Sequence, residues 1–316
     1  MVDPISDGYF KVLPMNGGIG DINFFILDFK GRHRGFPGIL RLFRDLNRQG
    51  KYDYIIDLHD VLRSKIITFL FSLRGVPVLR IDKGRREKKG IIKGKRRDQL
   101  KHTVVRYIDV FEKAGFKIIP EKGPWIIPLV NSQAKTEDLI DNSELNIGIA
   151  PYAKHALKMW PEEYMIRLLA LIGEQNKCRF FFFGGADELL RLKALQVKIK
   201  GSVLVSEKLN LEEEIALISR LSFMISMDSS NMHMAALTGT RVISIWGGTD
   251  PVTGFGAWQQ HDEYAIRIPV KELSCRPCTV FGKGKCRRGD LACMNWLTPE
   301  KVFQMMINLR IFNLKI

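Results

Sequence analysis

Through the second half of the chain, short apolar runs alternate with longer amphipathic stretches. NIGIAP (146–151) reads as a buried strand. PEEYMIRLLALIGEQ (161–175) reads as a helix, with Pro161 at its first position and two glutamates in its first turn. CRFFFFGG (178–185) is a strand running into glycines, and 187–199 is a helix. A short strand at 202–207 leads to a helix at 211–221. SFMISM (222–227) is a strand, SMDSSNMHMAALTG (226–239) carries a short helix closed by glycine, and RVISIWGG (241–248) is another strand. Apolar strands separated by helices in this way predict an α/β fold with a doubly wound, mostly parallel sheet.

The first half alternates less fully. Strands are expected at 23–29, 52–58 and 76–82, and helices at 36–50, 61–75 and 102–116. Between the last strand and last helix lies KGRREKKGIIKGKRRDQLK (83–101), whose glycines and charges read as a loop. From about 117 to 145 the pattern breaks, with Pro120, Pro124 and Pro128 followed by a polar run. This predicts two α/β domains, 1–125 and 146–316, joined by a linker at 126–145.

Composition changes this picture little. Of 316 residues, 46% are hydrophobic and 26% charged, as expected for a chain with a large buried core. No apolar run approaches the ~18–20 residues that span a bilayer, and the opening MVDPISDGYF lacks the basic end and apolar stretch of a secretion signal. The expected location is the cytoplasm. Charge changes it more. Residues 30–106 hold 22 Lys and Arg against 7 Asp and Glu, an excess equal to the +15 of the whole chain. Such a one-sided field suits an anionic membrane surface, an acidic substrate or nucleic acid. Nucleic acid is disfavoured, because few aromatics interleave the cations and no recognition module is present.

The candidate chemistry lies at three consecutive strand ends. In a parallel sheet, ligands bind at the carboxyl ends of the strands. The strand 222–227 ends at Asp228, so the next helix begins facing that crevice, its first N–H groups pointing outward. Ser229, Ser230 and Asn231 add side-chain donors there, and His233 follows in the first turn. The alternative is an ordinary N-cap at Asp228 or Ser229 with a core histidine behind it. Lys154 and Lys158 leave the strand 146–151, and Gly184 and Gly185 end the strand 178–185. No G-x-G-x-x-G follows a strand, and no G-x-x-x-x-G-K-[ST] is present, which disfavours a dinucleotide oxidoreductase and a P-loop NTPase. A nucleotide or nucleotide-sugar site remains.

Three segments, GIAPYAKHALKMWP, MDSSNMHMAALTGTRVISIWGGTDP and CRPCTVFGKGKCRRGDLACM, together with DLHDVLRS and IDKGRREKK in the first half, resemble the bacterial lipopolysaccharide heptosyltransferases of glycosyltransferase family nine. The resemblance runs from about residue 23 onward. It implies a GT-B fold of two Rossmann-like domains, with a donor ADP-heptose on the second and an anionic lipopolysaccharide precursor on the first. It implies transfer with inversion, no metal requirement and peripheral contact with the inner membrane. By position, Asp228, Ser229, Ser230 and His233 match the family's donor diphosphate loop and helix, and Lys158 its phosphate lysine. Many members have Gly where this chain has Ser230. Arg63, Lys83 and Arg85 fall in the first-domain segments as acceptor-side candidates.

The family's opening is not recognisable here. Its first strand, the Gly-Asp loop that carries the expected general base, the first helix and the second strand are missing, so the first domain reads as incomplete. Asp21 in GGIGD (17–21) precedes a strand instead of following one, which leaves it a weak substitute and the catalytic base unassigned. Three accounts fit: a misassigned start, a decayed copy, or a protein that keeps binding without transfer. The last makes a nucleotide-sugar-binding or scaffold role the alternative to enzymatic transfer. Cys275, Cys278, Cys286 and Cys293 lie within one loop-rich segment. Four thiolates could hold a structural zinc, and reduced thiols or a labile disulfide are the alternatives. No other cofactor is expected.

Overall fold

The computed structural model describes residues 25–312. Asp21 and the start of the expected strand 23–29 lie outside them. The described residues form two compact units: 25–85 with 101–121, and 86–100 with 122–312.

In the first unit, helix α1 (Gly35–Arg48) is followed by strand β1 (Ile55–Asp57), helix α2 (Leu62–Ser72) and strand β2 (Val78–Arg80). β1 and β2 pair in parallel with Ile55 opposite Val78, so α2 is the crossover of a β-α-β unit. Leu27, Ile39, Leu42, Ile67 and Phe71 close the core between α1, α2 and this sheet. Of the expected strand 23–29, Ile26 makes an isolated bridge and 27–29 are irregular.

The expected loop 83–101 contains a helix, α3 (Arg85–Ile92). Its charges concealed a buried face formed by Lys88 and Ile91, three residues apart. The Lys88 ammonium sits 4.1 Å over the Phe255 ring, which lets a lysine count as core. Gly94, at φ +68°, takes the left-handed conformation that ends the helix. Helix α4 (Thr103–Lys113) returns to the first unit.

The second unit is built on six parallel strands. In chain order they are β3 (Leu145–Ala150), β4 (Cys178–Phe182), β5 (Val203–Leu204), β6 (Phe223–Met227), β7 (Val242–Trp246) and β8 (Ala265–Arg267), arranged β5-β4-β3-β6-β7-β8. Alternate residues of one strand enter different cores. Phe223, Ile225 and Met227 of β6 face one cluster and Met224 the other. Helices α6 (Glu162–Gln175), α7 (Leu189–Lys198) and α11 (Pro299–Asn308) fill the first cluster with Leu168, Leu192 and Met306. Helices α8 (Leu211–Ser219) and α9 (Ser230–Leu237) fill the second with Leu217, Met232 and Ala235. Helices on both faces make the sheet doubly wound, as its sequence predicts.

Details differ from expectation. The strand at 202–207 shrinks to two residues and becomes a 3₁₀ turn. Pro161 is the N-cap of α6, one position before its expected place. The polar run after 128 holds helix α5 (Val130–Thr136), and residues 292–295 form the one-turn helix α10 (Ala292–Asn295). The C-terminal helix α11 packs within its own unit, against α6.

Candidate functional site

Parallel strands deliver their carboxyl ends to one edge, so the exits of β3, β4, β6 and β7 are neighbours. A cavity of about 570 Å³ opens there. It is lined by Lys154 and Lys158 after β3, by Gly185, Asp187 and Glu188 after β4, and by Asp228, Ser229, Ser230, Asn231 and His233 after β6. Eight of the nine residues singled out at these strand ends thus line one cavity. Gly184 does not line it. A side chain at Gly184 would run into Leu192 and Glu188, so this glycine serves the packing of α7.

Lys158 ends a 3₁₀ turn, Ala156–Lys158. Two residues on, Trp160 is buried and its indole N–H donates to the Leu297 carbonyl at 2.9 Å. Pro161 then starts α6. The Lys-x-Trp-Pro stretch therefore projects a lysine from a turn pinned by a core tryptophan. From above, Gly282 lies on the lysine stem: a side chain there would fall 2.7 Å from Lys158 Cγ.

Lys158 Nζ is 2.8 Å from Asp228 Oδ2, and the Thr249 hydroxyl donates to the same oxygen at 2.8 Å. Asp228 is buried. Ser229 occupies the N-cap position of α9, but its side chain makes no capping bond. Its Oγ lies 3.2 Å from Ser226 Oγ instead. The Ser229 side chain therefore does not cap α9, and the first turn of α9 lines the cavity. His233 is half-buried in that turn.

Glu188, Asp187, Tyr152, Phe255 and Phe281 also line the cavity and were not singled out from sequence. Burial pushes the Glu188 carboxyl above its ordinary range, although it accepts the Gly185 N–H at 3.0 Å. Cations and N–H donors at the β3 and β6 exits face acceptors at the β4 exit. Such a cavity can take a ligand with an anionic part and a hydroxyl-bearing part. Asp187 and Glu188 follow the glycine pair after one alanine, a signal the sequence did carry. Phe281 is distant in sequence and carried none.

In the first unit, Lys83 and Arg85 both reach the turn after β1. Lys83 Nζ donates to the His59 carbonyl, and Arg85 donates to Asp60 Oδ2 at 2.5 Å and to its carbonyl at 2.7 Å. Burial opposes the Asp60 charge, but Arg85 and Lys65 outweigh it and hold that carboxyl below its ordinary value. Burial lowers the Lys83 ammonium, and neighbouring Arg85 adds to this. Arg63 stacks 3.9 Å over the Phe29 ring.

Cys275, Cys278, Cys286 and Cys293 line one small cavity of about 20 Å³ and are free thiols. Among the described residues, no three His, Cys, Asp or Glu are grouped so as to hold a metal ion. Burial pushes Cys293 up to about 11. No described helix is long and apolar enough to cross a membrane.

Four likenesses to known proteins bear on this architecture. A solved glycosyl transferase family 9 protein from Veillonella parvula matches with a TM-score of 0.66 at 19% identity, covering 90% of this chain and 81% of that one. An E. coli heptosyltransferase, WaaC, solved with ADP, matches with a TM-score of 0.57 at 20% identity, covering 89% and 80%. The fold is thus α/β of the GT-B kind. The lipooligosaccharide heptosyltransferase 2 of Campylobacter jejuni subsp. jejuni is 24% identical over 217 residues, which are 66% of this chain and 64% of that protein's length. The description of glycosyltransferase family 9 (heptosyltransferase) matches residues 39–281, more than half of the sequence, and the chain belongs to that family.

Proposed function

We propose that the second unit binds an ADP-activated heptose and that the protein transfers the heptose to an anionic lipopolysaccharide core acceptor, with inversion. The observation that carries this reading is the convergence of Lys158, the α9 N-terminus and His233 on one cavity at the sheet's carboxyl edge. Transfer from a nucleotide sugar builds negative charge on the departing diphosphate. A lysine and a helix N-terminus placed beforehand stabilise that charge without a divalent cation. Asp187 and Glu188 supply acceptors for ribose or sugar hydroxyls. Likeness to the Campylobacter heptosyltransferase and to the E. coli heptosyltransferase solved with ADP suggests the sugar and the nucleotide.

The acceptor belongs to the first unit in this reading, where Arg63, Lys83 and Arg85 add to a strongly basic segment. The reaction then takes place in the cytoplasm, at the inner membrane surface. The general base is unassigned; Asp21, the weak candidate, lies outside the described residues. For the four cysteines, a structural zinc requires the thiols to draw closer than they stand. Metal analysis of the purified protein checks this: about one zinc per chain supports it, and none refutes it.

The deciding experiment is calorimetric titration with ADP, UDP, GDP and CMP. The expected result is a clear preference for ADP that falls at least about tenfold in Lys158→Ala and in His233→Ala, the scale of a lost hydrogen bond to a charged group. Equal, weak binding of all four refutes the reading. Acceptor-dependent release of ADP from ADP-heptose then separates a working transferase from a protein that only binds.

A further inference from the structure

We propose that Thr249, held in place by Arg276, is a positioning residue for the diphosphate lysine. The proposal rests on the reading of the cavity as a diphosphate site. Asp228 Oδ2 receives Lys158 Nζ and Thr249 Oγ1, each at 2.8 Å. The carboxylate is 7% exposed. A buried carboxylate that loses its one cationic partner is strongly unfavourable. A phosphate entering the cavity draws the lysine's donors toward itself. The Thr249 hydroxyl then keeps Asp228 hydrogen-bonded, so Lys158 can be shared between carboxylate and phosphate.

Thr249 can do this because its backbone is fixed. The residue is 1% exposed, as is Arg276. The Arg276 guanidinium gathers the carbonyls at the exit of β7. Nε donates to Gly247 at 2.6 Å, and Nη2 donates to Trp246 at 3.2 Å and to Thr249 at 3.0 Å. Nη1 donates to the Ile268 carbonyl, and Nη2 lies 3.4 Å from Asp250 Oδ2. Carbonyls leaving a strand need partners when buried, and one planar fork satisfies several of them at once. β7 adjoins β6 in the sheet, so fixing the β7 exit sets the Thr249 hydroxyl against the Asp228 carboxylate. Arg276 sits between Cys275 and Cys278, and its place in the sequence says nothing of the lysine it serves.

The test compares binding of ADP with binding of adenosine, which lacks the phosphates, in the full chain. Wild type should prefer ADP. Thr249→Val, which removes the hydroxyl and keeps the shape, should lower ADP affinity about tenfold and leave adenosine binding unchanged. Thr249→Ser should restore most of the preference, and Arg276→Lys should reduce it. Should Thr249→Val fail to fold, Thr249→Ala carries the same comparison. A wild-type preference retained in Thr249→Val overturns the proposal. So does a loss of ADP and adenosine alike, which would mark Thr249 as a packing residue only. A wild type that binds both equally removes the diphosphate reading and this proposal with it.

Discussion

Glu214 lies in α8 with no cation paired to it among the described residues, and burial pushes its carboxyl up to about 7 from an ordinary 4.5. The folded state therefore holds a proton that the unfolded chain releases. Stability is greatest below pH 4.5 as far as this group is concerned, and falls as pH rises through 4.5 to 7. Glu214→Gln should raise stability by on the order of 2 kcal/mol at pH 8 and give no gain at pH 4. Thermal melting of both proteins across that range measures it; a pH-independent difference would contradict it. At this scale the sequence was most informative where chemistry and spacing coincide. Lys158, Asp228 and His233 were legible because each lies within a few residues of the end of an apolar strand run. Thr249 was not, since a threonine in a loop is common. Only the fold brings the Thr249 hydroxyl to the buried Asp228 oxygen.

Among elements, α5 shows what periodicity cannot see. Its sequence, VNSQAKT, has no apolar stripe, and the prolines before it suggest a plain connection. The helix is held by α8 instead. Lys135 Nζ reaches Glu213 Oε1 at 2.6 Å, and the same glutamate closes a capping box with Asn210. Lys135 holds the Glu213 carboxyl below its ordinary value, and the Asn210 N–H adds to the effect. Glu213→Ala removes both bonds and should cost about 1–2 kcal/mol, since cap and ion pair go together. Denaturant unfolding reads the loss, and Glu213→Gln, which keeps the cap, should recover about half. The helix α3 was hidden for another reason. Its burial falls on a lysine, a residue type counted as polar, which the Phe255 ring accommodates. The strands β3, β4, β6 and β7 were legible because their apolar runs are nearly unbroken. β8, at three residues, was too short to stand out.

For the molecule as a whole, the charge is the feature the fold leaves most exposed to test. The surplus of cations between residues 30 and 106 equals that of the entire chain. Anionic vesicles should hold the protein at low ionic strength and release it by about 0.5 M salt, where screening shortens the reach of surface charge to a few Å. Neutral vesicles should not hold it. Sedimentation with the two kinds of vesicle measures this, and salt-independent binding would speak against an electrostatic contact. The α/β class was readable from the second half alone, where strands and helices alternate without interruption. The first half gave less, because its described sheet has two strands of three residues and a small core.

The six-stranded sheet ends at β5 on one side and β8 on the other, strands of two and three residues. A sheet margin offers unpaired backbone groups on which a second copy can add its own strand, and a long flat margin is a seed for aggregation. Here the long apolar strands β3, β4, β6 and β7 each have a neighbour on both sides, although β5 pairs only with Phe181 and Phe182 of β4 and β8 only with Ser244–Trp246 of β7. Each edge strand itself offers only two or three residues on which another molecule could pair. Concentrated solutions of the second unit should therefore resist fibrous association while it stays folded, despite the dense phenylalanine run that β4 keeps inside.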